Sequence, residues 1–78
     1  MPKYFFNIHN DVETRDEEGK ELPDLDAAID YAITGARSLA AETVSEGRLI
    51  GHHRIEIVDG EGKLVRCVRF DEAVDIQP

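Results

Sequence analysis

Tryptophan is absent from this 78-residue chain, cysteine occurs once, and basic residues are outnumbered almost two to one by acidic ones. Each scarcity excludes something. A lone Cys67 has no internal disulfide partner, which fits a reducing compartment. Three Phe and two Tyr supply few large core fillers. A core this small sits near the limit for independent folding, so a dimer interface would add buried area without adding chain. Nine Lys and Arg against 17 Asp and Glu give a net charge of −8. That field repels phosphate backbones and anionic bilayers, so nucleic-acid binding and membrane docking are disfavoured. A basic partner or a cation suits it better, and solubility alone also accounts for it. No apolar run reaches the roughly 18 residues of a membrane span. The opening MPKYFFNIHND is already polar at Asn7, so no signal-peptide core forms. The expectation is a cytoplasmic protein.

What is present is patterned. With 41% hydrophobic and 33% charged residues, the composition is that of one small globular domain spanning 1–78. KYFFNIH is aromatic and β-branched, with Tyr4, Phe6 and Ile8 on one face of a strand and Phe5, Asn7 and His9 on the other. Asn10-Asp11 turns the chain into a short polar strand near Val12 to Arg15, suited to a sheet edge. From Leu25 to about Glu46 the period is helical: Leu25, Ile29, Ala32, Ala36, Leu39, Ala40 and Thr43 form a stripe, flanked by Ala28 and Ile33. Asp24 is placed to cap this helix, Asp26 favours its positive end, and Gly47 terminates it. HRIEIVDGEGKLVRCVRF reads as a hairpin turning at Asp59 to Gly62. Its second strand runs from Lys63 to Phe70, with Leu64, Arg66, Val68 and Phe70 on one face and Val65, Cys67 and Arg69 on the other. The tail adds a short helical turn, with Val74 and Ile76 against the core. The fold class is therefore α+β, in the order β-β-α-β-β: a four-stranded antiparallel sheet, spatial order 2-1-3-4, with one long helix on one face.

YFFNIHND, DEEGKELPDLDAAIDYA and RIEIVDGEGKLV occur in this order over nearly the whole chain. Together they resemble an uncharacterised family of short alphaproteobacterial proteins, domain of unknown function 6894. The resemblance implies a stand-alone fold of hairpin, helix and hairpin. It carries no established activity and no transferable catalytic or ligand residues. Where that family often has a Gly after the first strand, this chain has Asn10-Asp11.

Several chemistries can be weighed residue by residue. RDEEGKELPDLDAA holds six carboxylates in residues 15–28. An EF-hand loop starting at Asp16 would put Gly19 at position four and Ala27 at position twelve, so the ligand spacing fails. A turn at Glu18-Gly19, an anchor at Leu22 and a cap at Asp24 account for the stretch instead. His9, His52 and His53, with Asp11 or Glu56, are the one candidate set for Zn²⁺ or Ni²⁺. Adjacent strand residues point to opposite faces, however, so His52 and His53 cannot both join His9. Cys67 between strand valines reads as a small filler, not a nucleophile. Ser38 and Ser45 lie on the helix outside any nucleophile-elbow context. No phosphate-cradling glycine loop precedes a helix.

The remaining candidate is the sheet face opposite the helix. It is expected to carry Phe5, Asn7, His9, Arg54, Glu56 and Arg69, with Val58, Val65 and Cys67 between them. Such a face suits contact with a second copy or an unknown protein partner, by the face itself or by an edge strand. It equally suits simple solvation. The leading expectation is a non-catalytic interaction module that forms a homodimer and needs no cofactor. Alternatives are a small-ligand or metal-binding regulatory domain using the histidines, and an antitoxin-like or nucleic-acid-associated regulator.

Overall fold

A computed structural model describes residues 1–10, 12–48 and 53–75. Its elements are β1 (Lys3–His9), β2 (Glu13–Thr14), β3 (Lys20–Glu21), α1 (Leu25–Ser45), β4 (Arg54–Val58), β5 (Leu64–Arg69) and α2 (Phe70–Ala73). The sheet is antiparallel with the order β2-β1-β4-β5, and β3 also pairs with β1. The expected strand order is present, with one addition. The acidic stretch returns to the sheet as β3, so β1 carries two short partners along one edge: Ile8 opposes Thr14, and Tyr4 opposes Lys20. Two residues of unbroken pairing were too short to register as a separate strand pattern in residues 15–28.

The helix forms where its local signals place it. Asp24 is extended and its Oδ1 accepts from the Ala27 N–H at 2.9 Å, which satisfies one of the unpaired donors of the first turn. At the other end Gly47 adopts φ 91°, and the Gly47 and Arg48 N–H groups close on the Val44 and Thr43 carbonyls. The buried line is Ala28, Ala32, Ala36 and Ala40, at strict four-residue spacing. Ala28, placed on the flank by periodicity, is therefore central, and Leu25, Ile29, Ile33 and Leu39 pack partly buried on either side. A line of alanines lets the helix backbone come close to its partner layer. The core is completed by Tyr4, Ile55, Ile57, Val68, Phe70 and Ala73, while His53 is the one buried polar residue among those described.

The second hairpin departs from simple alternation. Ile57 opposes Arg66 and Val58 opposes Leu64, so Val65 is an extra residue on β5. This bulge flips the residues before it. Leu64, expected on the core face beside Val68 and Phe70, is 52% exposed, and Val65, expected on the open face, packs against the core. The turn itself is held by Asp59, whose Oδ1 accepts from the N–H groups of Glu61 and Lys63. β5 also ends one residue early. Phe70 opens α2, its N–H bonded to the His53 carbonyl at 2.8 Å and its ring fully buried. Val74 packs against the core as expected, whereas Ile76 lies outside the described residues. Arg37 ties the two helices by donating from Nε to the Ala73 carbonyl at 2.8 Å.

Candidate functional site

Antiparallel pairing puts directly opposed residues on the same face. The register therefore assembles the predicted surface residues into rows: Phe5 with Val58, Asn7 with Glu56 and Cys67, and His9 with Arg54 and Arg69. Of the residues expected on the face opposite α1, Phe5, Asn7, His9, Arg54, Glu56 and Arg69 lie there, as do Val58 and Cys67, whereas Val65 does not. β2 extends the last row with Glu13, which opposes His9. From β2 to β5 that row reads Glu13, His9, Arg54, Arg69. No spacing rule singles out Glu13, because its place depends on the tightness of the first turn.

His9 is the centre of the face. Its Nδ1 lies 3.0 Å from Glu13 Oε1, and its Nε2 contacts Glu56 Oε1. A neutral imidazole has one N–H and donates to one of these carboxylates; the imidazolium donates to both. Arg54 reaches the other Glu56 oxygen at 3.7 Å, so one carboxylate joins two strands. A shallow polar basin of about 460 Å³ lies here, lined by Asn7, His9, Glu13, Thr14, Arg15 and Glu56. Cys67 on β5 directly opposes Glu56 on β4. Burial pushes its thiol above the ordinary range, and nearby Arg54 offsets only part of that rise. This is the reverse of the electropositive setting that activates a cysteine.

Two of the predicted contact residues are committed elsewhere. Asn7 Oδ1 accepts the Asp16 N–H at 2.9 Å, and the Phe5 ring lies where a Cβ on Gly19 would approach to 2.9 Å. Both hold down residues 15–19, the excursion between β2 and β3. Asp16 is the pin of that excursion. Its Oδ2 accepts the Phe6 N–H at 3.1 Å, and its Oδ1 accepts from Glu18 and Gly19 at 3.1 and 3.0 Å. Phe6 sits between the residues paired by β2 and β3, so the carboxylate replaces a strand carbonyl that the excursion has removed. Partial burial works against ionisation, yet the three N–H donors and the charge of Lys3 outweigh it, and the Asp16 carboxyl titrates below its usual range.

His9 and His53 do not converge. His53 stands on the core side of β4, edge-on to Phe70 with ring centroids 5.8 Å apart, whereas His9 occupies the opposite face. His52 and Asp11, the other candidate ligands, lie outside the described residues. Among the described residues no group of three or more His, Cys, Asp or Glu is arranged to hold a metal ion. No helix among them is long and apolar enough to cross a membrane.

These features define an α+β domain with one helix-covered sheet face and one open, ion-paired face. The model of the family described as Domain of unknown function (DUF6894) matches residues 3–71, and the chain belongs to that family. No curated protein and no solved structure matches the chain.

Proposed function

We propose that this domain acts by protein–protein contact, as a homodimer joined through the sheet face opposite α1, with no catalytic role and no cofactor. The observation that carries the reading is the row Glu13, His9, Arg54, Arg69, whose charge runs from acidic to basic across the sheet, with Arg69 also paired to Asp71 at 2.8 Å on the exposed margin. A two-fold axis in the plane of the face and parallel to the strands lays the acidic end of one copy on the basic end of the other. Phe5, Val58, Leu64 and Cys67 supply apolar surface beside that row. The edges are poorer candidates. β1 is flanked by β2 and β3, and the Arg66 guanidinium donates to the Cys67 carbonyl on β5. Side chains that occupy edge groups discourage strand addition. A cytoplasmic setting follows from the single cysteine and the acidic balance. An alphaproteobacterial source rests on sequence resemblance alone, and the net charge weighs against a nucleic-acid partner.

Light scattering at micromolar concentration should give twice the chain mass. Arg54→Glu, which places a second acid beside Glu56, should return the monomer mass with circular dichroism unchanged. Phe5→Arg should act in the same direction, with some loss of stability because its ring also packs on Gly19. A monomeric wild type under these conditions removes the proposal.

A further inference from the structure

The imidazole at the centre of the open face also fastens β2, and it does so fully in only one charge state. β2 is two residues long. The Phe6 N–H turns outward from β1 to Asp16, so the backbone groups of Ile8, two residues on, turn outward as well. Ile8 and Thr14 are therefore the hydrogen-bonded pair of the β1–β2 ladder. His9 and Glu13 form the other pair, in which no backbone bond is exchanged and the side chains lie closer. What joins them is the contact of His9 Nδ1 with Glu13 Oε1 at 3.0 Å.

His9 Nε2 meets Glu56 at the same time. A ring whose two nitrogens both face carboxylate oxygens satisfies both only as the imidazolium, because the neutral ring turns a lone pair toward one of them. Exposure decides which carboxylate is lost. Glu56 is 23% exposed and is shared with Arg54, whereas Glu13 is 80% exposed. The neutral ring keeps its N–H for Glu56, and Glu13 turns to water. The other charged groups about the ring are Arg15, which lines the same basin, and Arg54 and Arg69 in the row, with Asp71 on Arg69. Arginine and carboxylate charges are constant over the range in which histidine ordinarily titrates, and burial keeps the Cys67 thiol neutral there. At the far end of the excursion Asp16 works in the opposite sense. Its three N–H donors favour the ionised carboxyl, and the Asp16 N–H itself is held by Asn7, so the chain leaving β2 is pinned to β1.

We infer that β2 is a pH-gated strap, fully fastened only in a mildly acidic window in which the His9 imidazolium and the Asp16 carboxylate are both present. Rising pH removes the first pin and falling pH the second. The gate lies within one chain, so a monomeric wild type would remove the proposed dimer and leave the strap standing. Amide exchange of ¹⁵N-labelled protein between about pH 3 and pH 8, corrected for the intrinsic rate at each pH, tests it across the ordinary Asp and His ranges. The reference amides are Phe5 and Asn7, which turn toward β4. Relative to them, protection of Ile8 and Thr14 should be greatest near about pH 5. It should fall roughly twofold to fivefold by about pH 8, the size of one exposed ion pair. Glu13→Gln, whose amide can donate to the neutral ring, should flatten the neutral limb and leave the acid limb. Asp16→Asn should flatten the acid limb and leave the neutral one. Protection that holds level or rises from about pH 5 to pH 8, a limb that survives its own variant, or an equal fall at Phe5 and Asn7 overturns the inference.

Discussion

The two sides of the sheet meet the same difficulty in opposite ways. On the β1 side the chain leaves the ladder between β2 and β3, and a carboxylate, Asp16, accepts the Phe6 N–H that would otherwise lack a strand carbonyl. On the β5 side a guanidinium, Arg66, donates to the Cys67 carbonyl and is itself held by Glu72. One edge is completed by an acceptor and the other by a donor. The difference lies in how much each substitute supports. Asp16 is partly buried and organises three backbone N–H groups of its own loop and strand. Arg66 and Glu72 have side chains 37% and 41% exposed, where water competes for every contact. A charged group that replaces backbone in a sheet is therefore structural on one side and mainly protective on the other.

The largest effect should follow from breaking the β1 side. Asp16→Ala leaves the Phe6, Glu18 and Gly19 donors without their acceptor, at a cost of about 2 kcal/mol after water takes up part of the loss. For a domain this small that is a fall of roughly 8–16 °C in thermal midpoint. The same residue sets an acid limit. Its folded carboxyl titrates below the ordinary Asp value, so its stabilisation is fully present above about pH 4, the unfolded value, and disappears as pH falls through the folded one. Thermal melts between neutral pH and pH 3 should show wild type and Asp16→Ala converging at the acid end. Parallel curves would mean that Asp16 carries no linkage.

A smaller loss should come from Gly19→Ala in the same excursion. Gly19 has φ 71°, where a side chain is strained, and its Cβ would fall 2.9 Å from the Phe5 ring and 3.0 Å from the Tyr4 carbonyl oxygen. The backbone term alone is about 1 kcal/mol. The ring can swing away, and the carbonyl cannot, so a total of about 1–2 kcal/mol is expected in urea unfolding. Since Phe5 lies on the proposed dimer face, the displaced ring should also weaken self-association, which separates this variant from Asp16→Ala.

Much of this architecture is legible in the residues. The Asp24 cap, the alanine-rich helical period, the Gly47 stop and the Asp59 to Gly62 turn are local signals, and the structure places each where the pattern does. The six face residues are also legible, because period-2 alternation holds along β1, β4 and the part of β5 beyond the bulge. Two things are not. The bulge at Val65 breaks alternation on β5 without any Gly or Pro to mark it, which exchanges Leu64 and Val65 between faces. And the pairing of Lys20–Glu21 with β1 is fixed by Asp16, a residue whose role exists only once Phe6 is beside it. In sequence it is one acid among six in residues 15–28.

The β5 side supplies the mildest test and sharpens the contrast most. In Arg66→Ala the Cys67 carbonyl passes to water, and Glu72 loses its partner in a region already solvated, so stability should change by less than about 1 kcal/mol. Pairing with Arg66 holds the Glu72 carboxyl below its usual range, and 1 M salt should screen what stabilisation the pair provides. The visible consequence belongs to the exposed strand instead. With its guanidinium gone, β5 offers an open row of backbone groups beside Leu64, itself half exposed, and strand addition between molecules becomes available. Light scattering of the variant held for hours near its thermal midpoint should show faster growth of large species than wild type held equally close to its own. If Arg66→Ala instead melts as far below wild type as Asp16→Ala does, the guanidinium is as structural as the carboxylate, and the asymmetry between the two edges is lost.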